Sequence, residues 1–207
     1  MVAFNFDPRG VFFHSGLDTI EQGYSAATLG VMQEINKEKA AAYDYSRYIA
    51  AGGRPIEERA EDGGMIWSND ELLEVTIRTA EDGLMSLRKA FAVSVYHHWE
   101  RSALQWTGKT NEKHDRLVEF VESMGYAAHP KLRAVCDLTN LLKHANEKWG
   151  VQLHRTWPEL FTPDFVPPSE GGWRTDWYEQ VALSETNMSE IFDIVRASGP
   201  AIRPISA

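Results

Sequence analysis

Leu73, Ile77, Ala80, Leu84, Leu87 and Phe91 recur in alternating steps of four and three residues, and this rhythm constrains the chain more than any other feature. On a helix the spacing keeps one apolar stripe on a single face, the seam along which helices pair in a bundle. Ser68-Asn69-Asp70-Glu71 precedes it in capping-box order, so the helix is expected to start there. Continued at the same spacing, the stripe meets Ser94, His98 and Arg101. A greasy seam thus turns polar over its last two turns, before the Thr107-Gly108 turn closes the helix.

Further helices flank this one. Leu17 to about Ala51 is rich in alanine and glutamate and stops at Gly52-Gly53. A shorter segment, Asn111 to about Met124, turns Leu117, Phe120 and Val121 inward and closes at Gly125. Pro130, with its fixed φ, opens a helix on which Leu132, Val135, Leu138, Leu142 and Ala145 form a buried stripe. Thr186 to Ala197 reads as a last helix, stopped by Gly199-Pro200. Residues 1–16 read as an irregular arm, Arg54 to Met65 as an acidic loop, and Trp177 to Leu183 as one short strand. The expected fold is all-α: an antiparallel helical bundle of about four long helices, with the N-terminal arm and a C-terminal extension. Residues 1–161 form the bundle domain, and 162–207 are expected to pack on it.

Apolar residues make up 43% of the 207 and charged residues 25%, the balance of a globular domain with a proper core. No apolar run reaches the ~18 residues of a membrane helix, and MVAFNFDPRG has no leader character, so a cytoplasmic protein without membrane contact is expected. The single cysteine, Cys136, lies beside an apolar stripe and reads as a small buried hydrophobe. A net charge of −9 argues against nonspecific coating of nucleic acid. The charge is uneven. From His97 to Arg155 nine Lys and Arg face seven Asp and Glu, a net +2 that leaves −11 elsewhere, and six of the seven histidines lie in that section.

Opposite the apolar stripe after Pro130 stands a polar one: Arg133, Asp137, Asn140 and His144. With the string Thr139-Asn140-Leu141-Leu142-Lys143-His144 and the following Pro158-Glu159-Leu160-Phe161, residues 69–161 resemble a HEPN-type protein. That resemblance implies a small all-α bundle, often dimeric, and in many members metal-independent cleavage of RNA in bacterial defence or toxin–antitoxin systems. Asn140 and His144 match the family's motif in place, whereas Thr139 stands where arginine is expected. In the implied reaction a ribose 2′-OH attacks the adjacent phosphorus. His144 would move the proton, and a cation must meet the phosphoryl oxygens as they gain charge.

Thr139 cannot supply that cation, and Lys143 offers only a point charge. Arg133 lies eleven residues from His144, roughly 16 Å along one helix. Arg101, at the end of the preceding seam, is the expected replacement, brought to His144 by antiparallel pairing, or Arg133 from a second subunit. The candidate catalytic residues are therefore His144, Asn140 and Arg101, with Lys143, His98, His97 and Arg133 holding an RNA or nucleotide. The same residues also admit a structural reading: Asn140 bonded to His144 or to backbone, Arg133 paired with Asp137. The chain is then an interaction protein that kept the bundle and lost the chemistry, with a homodimer or another protein as partner.

His97 and His98 point about 100° apart on a helix, and neither they nor His144 has a Glu three residues before it. No metal site or cofactor is therefore expected. No phosphate-binding glycine loop or serine-hydrolase elbow occurs. Trp149 and Trp157 offer faces for stacking on bases, although packing against the bundle is the simpler use.

Overall fold

The computed structural model describes residues 7–163, 165–168 and 175–202. They form an all-α fold with one small two-stranded sheet. In order these are α1 (Pro8–Ala50), β1 (Glu57–Arg59), β2 (Met65–Ser68), α2 (Asn69–Thr107), α3 (His114–Ser123), α4 (Leu132–His144), α5 (Glu147–Thr156), a 3₁₀ turn (Pro158–Leu160), α6 (Trp177–Gln180) and α7 (Glu185–Arg196). Among the described residues no helix is long and apolar enough to cross a membrane.

The described chain forms two compact units. Residues up to Gly23 and from Arg88 onward make one, and Tyr24–Leu87 the other. In the first, the start of α1 runs antiparallel to the end of α2. Phe13 stacks on His98 and meets Trp106 edge-on. Gly16 permits this approach, since a Cβ there would sit 2.4 Å from the His98 ring. Trp99, Leu138, Leu141, Leu153, Leu160 and Ile191 are fully buried around it. The boundary expected at residue 161 falls inside this unit. Trp177 and α7 belong to its core, and Val181 bridges to Phe161.

In the second unit, residues 24–50 of α1 run antiparallel to residues 69–87 of α2, joined by an ion pair from Lys39 to Glu81 at 2.6 Å. The antiparallel β1–β2 hairpin connects them. Leu73, Ile77, Ala80, Leu84 and Leu87 are only half-buried here. Past Phe91 the buried face of α2 becomes Ala92, Val95, Tyr96, Trp99 and Ala103.

Five expectations need correcting. Residues 8–16 are helical rather than an arm, because the Asp7 carboxylate accepts from Arg9 N at 2.9 Å and Pro8 supplies the first-turn φ; residues 1–6 lie outside the described set. The acidic loop contains β1 and the start of β2. The capping box before α2 is not closed, since Ser68 Oγ has no hydrogen-bond partner. Trp177 begins a helical turn, not a strand, because the Asp176 carboxylate accepts from Tyr178 N and Glu179 N. The helix from Pro130 stops at His144: Ala145 takes the left-handed conformation (φ 45°) and stands exposed, and Asn146 caps a new helix.

A polar network between three helices

α4 lies antiparallel to the last turns of α2. Trp106 meets Tyr126 just ahead of α4, the Tyr96 hydroxyl lies beside Cys136 in its middle, and Lys89 donates to Tyr178 O of α6, which packs on α4. This direction decides what the α4 polar face meets. Arg101 is five residues past Tyr96, while His144 is eight residues past Cys136 the other way. They stand roughly 20 Å apart along the helix axes at 1.5 Å per residue. Within one chain the structure does not bring Arg101 to His144.

Arg133 is instead closed by two carboxylates. Its Nε donates to Asp137 Oδ1 at 2.9 Å, and Nη1 donates to Asp115 of α3. Asp137 is completely buried, not part of an exposed pair, and its Oδ2 has no partner. Burial pushes the Asp137 carboxyl above its ordinary range, against the opposing pull of Arg133. Asp115, mostly in water and bonded to Arg133, is held below that range. Beside this bridge the Tyr96 hydroxyl lies 3.0 Å from His114 Nδ1. Burial and the Arg133 charge lower the His114 imidazole to about 4, so it is neutral at pH 7. Burial raises the Tyr96 hydroxyl and the Cys136 thiol, and both keep their protons.

The remaining residues singled out from the sequence divide into two groups. His98 Nε2 lies 2.9 Å from Phe13 O, His97 Nδ1 lies 2.9 Å from Glu100, and Asn140 Nδ2 donates to Cys136 Sγ at 3.5 Å. The first ties α2 to α1, and the other two lie within α2 and within α4. Arg101, Lys143 and His144 are exposed and carry no side-chain hydrogen bond or ion pair among the described residues. Lys143 and His144 end α4, where a helix favours positive charge. Thr139 is buried, so the position the resemblance gives to arginine faces the interior. Trp157 is also buried, with Lys131 Nζ 4.6 Å over its ring, and Trp149 carries Lys148 at 4.9 Å.

Sequence reasoning missed Tyr96, His114 and Asp115. Only Arg133 and Asp137 had a local signal, their four-residue spacing. His114 and Tyr96 are eighteen residues apart on different helices, and nothing in their own surroundings announces the pair. A 720 Å³ cleft lies elsewhere, and its polar groups already bond: Tyr126 to Asp7, His14 to Pro200 O, Arg196 to Asp18 and Glu21. Among the described residues no group of three or more His, Cys, Asp or Glu is arranged to hold a metal ion. No protein-family model, curated protein or solved structure matches the chain.

Proposed function

We propose that this chain is a helical interaction protein in which the polar residues of α4 stabilise the bundle and do not perform catalysis. One observation carries the reading. Arg133, the cation on the same face as His144, is held by Asp115 and the buried Asp137, and Arg101 lies toward the other end of the unit. A phosphoryl group at His144 would therefore lack a converging arginine within the chain. The inward-facing Thr139 supports the same conclusion.

A second reading rests on Lys143 and His144, exposed and unengaged at a helix end. With Arg101 or Arg133 of a second copy, they would form a HEPN-like site for RNA or a nucleotide. The two readings separate on single-stranded RNA, measured by cleavage and by affinity at low and high salt. The interaction reading expects no cleavage above background and equal traces for the wild type, His144→Ala and Arg101→Ala. Cleavage by the wild type that His144→Ala abolishes overturns it. So does RNA affinity that Lys143→Ala weakens and salt removes steeply.

A further inference from the structure

Residues 24–87 contain a second candidate site. Between α1, the β-hairpin and the first turns of α2 lies a groove of 570 Å³. Its apolar lining comes from Ile49, Met65, Leu73 and Ile77. Its charged lining is wholly acidic: Glu57, Asp70, Glu71 and Glu74. Glu57 and Glu74 are paired with Arg59 and Arg78, whereas Asp70 and Glu71 have no ion-pair partner among the described residues. Ser68 also lines the groove, 5% exposed, and its hydroxyl has no hydrogen-bond partner. A buried hydroxyl left unpaired costs on the order of 1–3 kcal/mol, so a site that offers one favours a ligand able to pair with it.

The surroundings extend the same chemistry. Of the large apolar side chains at least half exposed nearby, Met65 lines the groove, and Ile56 lies beside its Pro55 and Glu57 in sequence. The unit holds twelve Asp and Glu against six Lys and Arg, a net −6. That sign selects the occupant. A second copy would bring −6 against −6, and RNA or an anionic membrane would be repelled. An apolar stripe flanked by lysine or arginine satisfies both the floor and the rim.

We propose that this groove docks a cationic amphipathic segment of a partner protein. Its apolar side chains would lie over Ile49, Met65, Leu73 and Ile77, and its cations would face Asp70, Glu71 and Glu74. The proposal rests on reading the chain as an interaction protein and adds the partner's chemistry.

The test is fluorescence anisotropy on the 207-residue chain with labelled synthetic peptides of about fifteen residues. One carries leucine at three- and four-residue spacing with lysine elsewhere; the others replace lysine by glutamate or leucine by serine. Saturable binding of the leucine–lysine peptide is expected, with each control at least about tenfold weaker. Asp70→Asn, Glu71→Gln and Glu74→Gln combined should weaken it about tenfold and flatten its salt dependence. Met65→Glu, at an exposed position, should weaken it comparably while leaving the circular dichroism unchanged. Absence of saturable binding, equal binding of the glutamate peptide, or indifference to both variants overturns the groove proposal. The interaction reading fails separately, on RNA cleavage lost in His144→Ala.

Discussion

The two compact units are built on opposite principles from the same two helices. Among the described residues, ten of the fifteen large apolar side chains that stand exposed lie within residues 24–87, whereas of the buried apolar residues only Tyr24 and Ile35 belong to that unit. Residues 8–23 and 88–202 instead surround Trp99, Trp157 and Trp177, each 2% exposed or less. The packed unit draws its stability from area removed from water; residues 24–87 rely on helix propensity, surface ion pairs and a short hairpin. A region with little buried area opens at lower free energy than a packed core. Its exposed apolar surface is also what a binding partner requires. The comparison teaches that the packed core lies in one unit and most of the exposed large apolar side chains among the described residues in the other.

The sharpest way to break this comparison is to attack the core. Trp177 lies flat on Gly150, where a Cβ would come within 2.2 Å of the indole. Trp177→Ala should cost roughly 3–5 kcal/mol, read from the urea midpoint. Gly150→Ala should also destabilise, since neither the ring nor the α5 backbone can retreat cheaply. An unchanged midpoint in both would mean that the two units are alike in packing. The Arg133 bridge comes next. Arg133→Met strands the Asp137 carboxylate in the interior and should cost about 2–3 kcal/mol, below the ~3–5 of a fully enclosed pair because Arg133 is partly in water. Adding Asp137→Leu should recover most of the loss, because a well-packed apolar pair needs no charge partner.

Acid should weaken the core unit through His114. Its folded-state pKa of about 4 lies below the ordinary imidazole value of 6.5. Below pH 6.5 the unfolded chain takes up a proton that the folded chain refuses, so stability falls as pH drops towards 4 and this loss levels off below it. At pH 5 the expected loss relative to pH 7 is about 1–2 kcal/mol, allowing for partial solvent screening of a half-buried ring. Asp137 works in the opposite sense, since a carboxyl raised in the folded state gains protons, and stability, earlier than in the unfolded chain. Comparing wild type with His114→Gln isolates the imidazole. Parallel curves of stability against pH between 4 and 7 would remove it as the cause.

Much of the fold was legible because helix signals are local. The four-and-three seam gave α2, and Leu117 and Val121 gave the inward face of α3. Gly52-Gly53 and Gly125, with φ of 87° at Gly52 and 82° at Gly125, marked helix ends that left-handed residues close. The stop at Ala145 was not legible, because alanine carries no preference for the left-handed region and only the next residue, Asn146, shows a cap. The α1 start was missed although Asp7-Pro8 is a helix-opening pair, because Gly10 and two phenylalanines obscured it. The site was less legible than the fold. Polar residues at helical spacing show which groups share a face, but not whether another helix consumes them. The partners of Arg133 and His98 come from Asp115 and the Phe13 carbonyl, far away in sequence.

The smallest effects should come from residues 24–87, and they sharpen the comparison most. Leu72 and Val75 are each 57% exposed on the first turns of α2. In a core, removing an apolar side chain of this size costs about 2–5 kcal/mol. Here Leu72→Gln and Val75→Gln should each move stability by no more than about 0.5 kcal/mol, because water already reaches the side chain and glutamine suits a helix at least as well as valine. The urea midpoint and far-ultraviolet circular dichroism together check this. A loss above about 2 kcal/mol for either change would mean that the side chain is covered in solution, by another part of the chain or by a second copy. A midpoint that rises with protein concentration would single out the second copy.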